Sequence, residues 1–521
     1  MNTITRIILS NFKRFETFEL ECDESLNILI GGNEAGKSSV LLALDLALSG
    51  SRSKVEAIGL ETLFNLDVVN RFLAGKKQYD DLPKLFVELY LSEQNHSDLN
   101  GKNNSKGVVC DGLRMECEPI DEYSKEIAEV LKDEHHNFPF EFYAIKFMTF
   151  ADQPYLPQRR PIKHLVIDSS QINNEYATRE YTRSVYSAHA TVLERNKHEN
   201  LYRKSKSVFK SGALGELNDK LPNYKFAVRT NPRSNLESDL VITELDIPID
   251  SKGKGRQCLI KTEFALMRNK SGHSLDVLLL EEPENHLSHS NMKRLIARIS
   301  ESEKKQLFIA THSNQICARL DLRKAVLLGK GASPVRLKDL SEETATFFIK
   351  APDNNVLEFA LSAKVMLVEG DAEFILLDAL YKKHPGEVTL EKDGVHVISV
   401  GGTSFKRYLD LAKLLGIKTA VVRDNDGDYQ SNCIDRYAEY ALPHIQVFSD
   451  KDPGRRTFEI CFYQDNKAIC DELFLPGRVK LTAQEYMLKN KTEAAFELLS
   501  KKQTDLSAPA YLSDAIAWIR A

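Results

Sequence analysis

The sequence predicts an α/β fold in two successive regions. Three observations carry that prediction. An apolar run, Leu26 to Ile30, ends in glycines and passes into helical spacing at Val40, Leu41, Leu44 and Leu48. A second apolar run, Val277 to Leu280, ends in two carboxylates. After Leu357 a third pattern starts, in which short apolar runs alternate with helical stretches, as in a parallel sheet built from βαβ units.

Ile4 to Leu20 alternates as strands do, and Leu85, Val87, Leu89 and Leu91 repeat that alternation. Asn95 to Gly107 is polar and reads as a loop or hairpin tip, and Phe142 to Phe147 is a further strand. From Ser169 to about Leu221 the pattern is helical and polar, with Arg179, Arg183, Arg195, Lys197, Arg203, Lys204, Lys206 and Lys210. This insertion is a solvated basic face, a nucleic-acid contact or a surface for a second subunit. Strand character returns at Val241 to Ile247 and at Leu307 to Ala310. In the last region the strands are Val365–Val368, Val395–Val400 and Thr419–Val422. The division read from these shifts is 1–168, 169–235 for the helical insertion and a dimerisation surface, 236–350, and 351–521.

With 70 basic and 75 acidic residues the net charge is −5, so any nucleic-acid path has to be a local basic surface. No run approaches the roughly 18 apolar residues that span a bilayer, and the N-terminus lacks a signal-peptide core. The eight cysteines contain no Cys-x-x-Cys pair, which excludes a zinc or disulfide framework and suits a reduced cytoplasm.

Gly31-Gly32-Asn33-Glu34-Ala35-Gly36-Lys37-Ser38 is a full P-loop. Its glycines let backbone N–H groups curl around phosphate oxygens at a helix N-terminus. Asn33, Gly36 and Ser39 belong to that cradle, Lys37 is expected on the β- and γ-phosphates, and Ser38 on Mg²⁺. In Val277–Pro283 the strand ends as a Walker B does: Glu281 is expected in the Mg²⁺ shell and Glu282 beside the attacking water. Asn285-His286-Leu287-Ser288 sits at the position of a D-loop, and His312 in Thr311-His312-Ser313 at that of a switch histidine. His135 and His136 have no such support.

These motifs, with Asn11-Phe12-Lys13-Arg14-Phe15, make residues 1 to about 350 resemble the ABC-type ATPase heads of the SMC, Rad50 and RecF class. The resemblance implies bound ATP and a basic residue near it. No heptad arm is present. One departure concerns the glycine-rich signature that clasps ATP from an opposing subunit. Here Ser251, Gly255 and Gln257 keep its character, but Lys252, Lys254 and Arg256 are inserted among them.

The last region carries a second set of acids. Val365–Val368 runs into Glu369-Gly370-Asp371-Ala372-Glu373, and Val421-Val422 into Arg423-Asp424-Asn425-Asp426-Gly427-Asp428. In extended chain Asp424 and Asp426 point the same way and can share one ion, with Glu369 from a neighbouring strand end. An all-oxygen set suits Mg²⁺, Mn²⁺ or Ca²⁺ and not zinc. Asp428 is a third ligand or a loop cap. Val-Glu-Gly, a βαβ interval and Asp-x-Asp together form the Toprim pattern.

Head followed by Toprim, with Arg455-Arg456-Thr457-Phe458-Glu459 and Lys489-Asn490-Lys491-Thr492-Glu493-Ala494 downstream, resembles the overcoming-lysogenization-defect (OLD) nuclease family. That family includes the Gabija nuclease subunit and OLD-type retron effectors. The fold it implies is an ABC/SMC-like P-loop ATPase head with a helical insertion, followed by a C-terminal Toprim domain. The resemblance implies an ATP-dependent endonuclease acting on DNA in antiphage defence. One metal group would be Glu369, Asp424 and Asp426, and the other Glu373 and Glu459. Lys491, with Lys489 as its rival, would neutralise charge on the phosphate. A homodimer or tetramer follows from a signature acting in trans, and the implied operon partners are a helicase or a retron reverse transcriptase with its RNA–DNA product. The competing reading is a RecF-like DNA-repair sensor or loader whose Toprim domain binds without cleaving.

Overall fold

The computed structural model describes residues 3–92, 95–132, 137–157, 161–169, 175–221, 225–229, 235–266, 275–301, 305–329, 334–351, 355–383, 388–402, 404–475 and 480–521. His135 and His136 lie outside them. The chain forms two compact units: Met1–His312 with Leu328–Pro334, and Ser313–Leu327 with Val335–Ala521.

The first unit is built on two sheets. One is antiparallel, in the order Phe15–Glu21, Ile4–Phe12, Leu85–Leu91, Cys110–Pro119, with Tyr143–Thr149 on the last of these. The other is parallel and runs Leu26–Gly31, Gln306–Ala310, Val277–Glu281, His164–Asp168. The helix Lys37–Ser49 packs on both sheets and is buried around its circumference, from Val40 through Leu48. An all-round apolar helix needs such an interior position. Gln306 ties the sheets together: its amide accepts from Ile4 N–H at 2.8 Å and donates to Ile4 O at 2.7 Å and Asp23 O at 2.8 Å.

The register of the parallel sheet matters most for function. Glu281 stands opposite Ala310 on one neighbour and Asp168 on the other. The C-terminal strand ends that carry acids and the His312 loop therefore share the edge from which the P-loop leaves.

The helical insertion comprises Glu175–His189 and Val192–Ser211, the second opened by a capping box between Thr191 and Glu194. Of its basic residues, Arg183 pairs with Glu237 at 2.7 Å and Arg195 reaches the same carboxylate at 3.8 Å. Val192, Leu193, Leu201, Val208 and Phe209 are exposed. The strand character expected at Val241 to Ile247 shrinks to a short hairpin, Thr243–Glu244 with Ile247–Pro248, because Val241 and Leu245 find no core to enter.

The second unit has a four-stranded parallel sheet in the order Val395–Ser399, Lys364–Val368, Lys418–Val422, Ile445–Phe448. The strands Lys364–Val368 and Lys418–Val422 are almost wholly buried, as parallel strands covered on both faces are. Helix Asp371–Lys382 packs on Lys491–Lys502, and Ala510–Arg520 on the sheet. Met366, Leu376, Phe462, Leu498 and Ile516 belong to one continuous core.

Candidate functional site

Two constellations form, one in each unit. In the first, Gly36 has φ 97 and caps helix Lys37–Ser49. A Cβ there would collide with Phe15 and Arg14, so glycine is required both by conformation and by space. Arg14 donates to the carbonyl of Glu34. Lys37 is buried and its Nζ donates to Gly31 O at 2.9 Å and Gly32 O at 3.1 Å. The ammonium is thus held inside the loop that it is expected to share with phosphates. Asn33 and Ser38 are exposed and Ser39 half-buried along the same cradle.

Glu281 is bonded to the Ser38 side chain. Burial raises its carboxyl above the usual range, and the Asp168 and Glu282 carboxylates add to that rise. Glu282 has φ 44, accepts from Asn285 Nδ2 at 2.7 Å and lies 3.5 Å from His312 Nε2. Lys37, Ser38, Glu281, Glu282 and His312 are therefore gathered at one sheet edge. Asp168 joins them without having been anticipated; its strand is short and ends in a single acid, which gives no motif.

The signature-like stretch places Ser251 at the end of the 3₁₀ turn Ile249–Ser251, and Gly255 in the first turn of helix Lys254–Leu266. Gln257 Nε2 donates to Lys252 O at 2.7 Å and Asp250 O at 3.2 Å, closing the turn onto the helix. Two of the inserted basic residues, Lys252 and Arg256, are both engaged by Glu244.

In the second unit Glu369 follows strand Lys364–Val368, and Glu373 lies in the first turn of helix Asp371–Lys382. Asp424 follows Lys418–Val422, and Glu459 lies in the first turn of helix Phe458–Asp465. Glu373, Asp424 and Glu459 are only 5%, 9% and 3% exposed. Glu369 Oε2 accepts from Asp424 N–H at 3.1 Å, and Asp424 Oδ1 from Phe458 N–H at 2.7 Å. Burial and the Glu373, Glu369 and Glu459 carboxylates push the Asp424 carboxyl up to about 8. Burial, Glu459 and Glu369 push Glu373 up to about 7. Lys491 Nζ reaches Glu459 Oε1 at 3.0 Å, while Glu459 Oε2 is buried without a hydrogen-bond partner. Burial works against the charge of Lys491, but Glu459, Asp424 and Glu373 outweigh it and raise its value. Lys489 is exposed at the end of the preceding helix, so Lys491 is the lysine the acids engage.

Asp424 and Asp426 do not leave the strand as an alternating pair. The strand ends at Val422, Asp426 has φ 50, and its carboxylate is about half exposed on Arg423 at 2.9 Å. Asp428 accepts from Ser431 N–H at 3.0 Å and is a loop cap. Among the described residues no group of three or more His, Cys, Asp or Glu side chains is gathered closely enough to hold a metal ion as it stands. Arg423 and Lys491 hold two of the five carboxylates in ion pairs. The donor set nevertheless fits a hard divalent cation: it is all oxygen, its Glu373, Asp424 and Glu459 carboxylates are buried, and Glu459 has an orphaned carboxylate oxygen.

A model of the AAA ATPase domain family matches residues 3–107 and 124–317, more than half of the chain. The chain belongs to that family. A model of the overcoming lysogenization defect protein-like TOPRIM domain matches residues 361–426, which include Glu369, Glu373, Asp424 and Asp426. Glu459 and Lys491 lie beyond that match. The chain is 29% identical over 181 residues to Endonuclease GajA of Bacillus cereus (strain VD045), covering 34% of this chain and 31% of that protein. It is 21% identical over 464 residues to the OLD nuclease of Thermus scotoductus (strain ATCC 700910 / SA-01), covering 81% of this chain and 82% of that one. Among solved structures, the C-terminal region of the Xanthomonas campestris pv. campestris OLD protein matches with 21% identity, 30% of this chain, 94% of that chain and a TM-score of 0.24. The expected organisation, a P-loop ATPase head followed by an OLD-like Toprim domain, is borne out by the two family matches. Among the described residues, no helix is long and apolar enough to cross a membrane.

Proposed function

We propose that this AAA-family chain is an ATP-hydrolysing, divalent-metal-dependent DNA endonuclease acting in antiphage defence, and that it works as a homodimer or tetramer. The observation that carries the reading is the crowding of Glu369, Glu373, Asp424 and Glu459 around the reach of Lys491 at the C-terminal edge of the Toprim sheet. Buried carboxylates raised to about 8 and about 7 are costly to the fold, and a cation among them would remove that cost. Glu369, Asp424 and Asp426 would hold one Mg²⁺ or Mn²⁺, and Glu373 and Glu459 a second. When bound, such ions supply positive charge to the attacking and leaving oxygens of a phosphodiester. Lys491, on its exposed side, adds charge where the phosphate would sit.

In the first unit Lys37 would exchange the carbonyls of Gly31 and Gly32 for the β- and γ-phosphates of ATP. Ser38 and Glu281 would hold its Mg²⁺, and Glu282, steered by Asn285 and His312, would take the proton of the attacking water. Ser251 and Gly255 are proposed to face nucleotide bound by a second copy, and the exposed apolar residues of Val192–Ser211 support a subunit contact through that helix.

Purified protein on plasmid and linear DNA tests the reading, with Mg²⁺ or Mn²⁺, with and without ATP, beside Glu369→Ala. Metal-dependent cutting that Glu369→Ala lacks is the expected result. Metal-independent DNA binding with no cutting would favour the sensor reading instead.

A further inference from the structure

None of the roles given above uses Glu284, yet its side chain joins two parts of the ATPase site. The segment after Glu282 folds back on itself: Asn285 N–H donates to Glu282 O at 3.0 Å and Leu287 N–H to Glu284 O at 3.1 Å. Within it His286 has φ 64, and its carbonyl fills the space that a Cβ on Gly255 would need. The segment is therefore seated directly on the first turn of helix Lys254–Leu266. From the same segment Glu284 Oε1 accepts both the Thr311 hydroxyl, at 2.5 Å, and the His312 N–H, at 2.9 Å. Thr311 is fully buried, whereas the His312 side chain is exposed and its Nε2 lies 3.5 Å from Glu282 Oε1.

The second oxygen of Glu284 is buried and has no hydrogen-bond partner. Both partners of this carboxylate are therefore gathered on Oε1. One accepting oxygen, aimed at two consecutive residues of the His312 loop, is what the geometry uses. A backbone fixed at its N–H leaves the imidazole only its side-chain torsions to search, which is how a supporting residue sets the placement of a reacting group.

We propose that Glu284 is a positioning residue for ATP hydrolysis: it fixes the backbone of His312 and links that loop to the segment packed on Gly255. The inference rests on the ATPase reading above. It makes the placement of His312 depend on the Ser251–Gly255 turn, so a change there would be passed to the hydrolytic centre through one carboxylate.

The test is steady-state ATP hydrolysis together with binding of a fluorescent ATP analogue, on the full chain. Glu284→Met keeps the length and offers no oxygen; Glu284→Gln keeps one acceptor. Glu284→Met is expected to lower kcat by about tenfold or more, with KM and analogue affinity held within about twofold. Glu284→Gln should restore turnover to within about threefold of the parent. Combined with His312→Ala, Glu284→Met should add nothing further, because both act through the same group. Full turnover in Glu284→Met, independent losses in the double variant, or a Glu284→Gln as slow as Glu284→Met would each overturn the inference. If Glu284→Met binds no analogue because it does not fold, Glu284→Asp replaces it: the shorter side chain should lose rate where Glu284→Gln does not, and equal rates would refute the role. A parent chain without any ATP turnover would sink the ATPase reading and this inference with it; a parent that turns over regardless of residue 284 sinks the inference alone.

Discussion

Asp45 shows how much one carboxylate can carry when its surroundings are arranged for it. It sits on the P-loop helix, bonded to His164 Nε2 at 2.9 Å and paired with Lys54 Nζ at 2.6 Å. Burial alone would raise its carboxyl, but the His164 bond and the Lys54 and His164 charges hold it down at about 2, below the ordinary 3.8. Its stabilisation is therefore present above about pH 4 and lost as pH falls towards about 2. Asp45→Asn should cost about 2 kcal/mol at pH 7. The gap to the parent should close as the pH is lowered from about 4. Urea unfolding of both proteins at neutral and acid pH checks this, and a gap that stays constant would assign the loss to packing instead of charge. The same scale shows what a sequence can disclose. Lys37, Glu281, Glu369 and Asp424 stand in motifs whose spacing is itself chemical, so they are readable from the chain. Asp168 and Glu284 are not, since strand register and a loop contact across 27 positions bring them to the site.

Among elements, strands with clear alternation or an unbroken apolar run were legible, such as Phe15–Glu21 and Val277–Glu281. Leu85–Leu91 is equally plain in the sequence. The strand Cys110–Pro119 was missed although it alternates, with Leu113, Met115 and Cys117 inward and the Arg114–Glu116 salt bridge on the other face. The strand His164–Asp168 has only three apolar residues between a histidine and an acid, and it pairs in parallel with Val277–Glu281. The fourth Toprim strand, Ile445–Phe448, is shorter still. The link between P-loop and helix is open to disruption by a single change. Gly36→Ala would place a Cβ against Phe15 and Arg14 at φ 97, where L side chains are strained. It should cost about 1–3 kcal/mol in stability and weaken binding of a fluorescent ATP analogue. Thermal melting and analogue titration on the one variant would read both, and an unperturbed titration would remove Gly36 from the nucleotide cradle.

At the scale of the whole molecule the two proposed sites lie in separate compact units, and each unit has its own core. Hydrolysis of a phosphodiester is downhill, so ATP cleavage is not needed to drive it; any coupling has to be conformational. The two activities should then be separable by substitution. Lys37→Ala should lose ATP turnover by about a hundredfold or more while Mg²⁺ or Mn²⁺ still raises the melting temperature, because the carboxylate cluster around Asp424 is untouched. Asp424→Ala should lose DNA cleavage and the metal-dependent rise in melting temperature, yet hydrolyse ATP at the parent's rate. If Lys37→Ala also abolished the divalent-ion response, the metal would be bound by the P-loop unit, and the Toprim acids would have to be reassigned to binding. If Asp424→Ala cut DNA as the parent does, the cleavage would have to arise outside the carboxylate cluster.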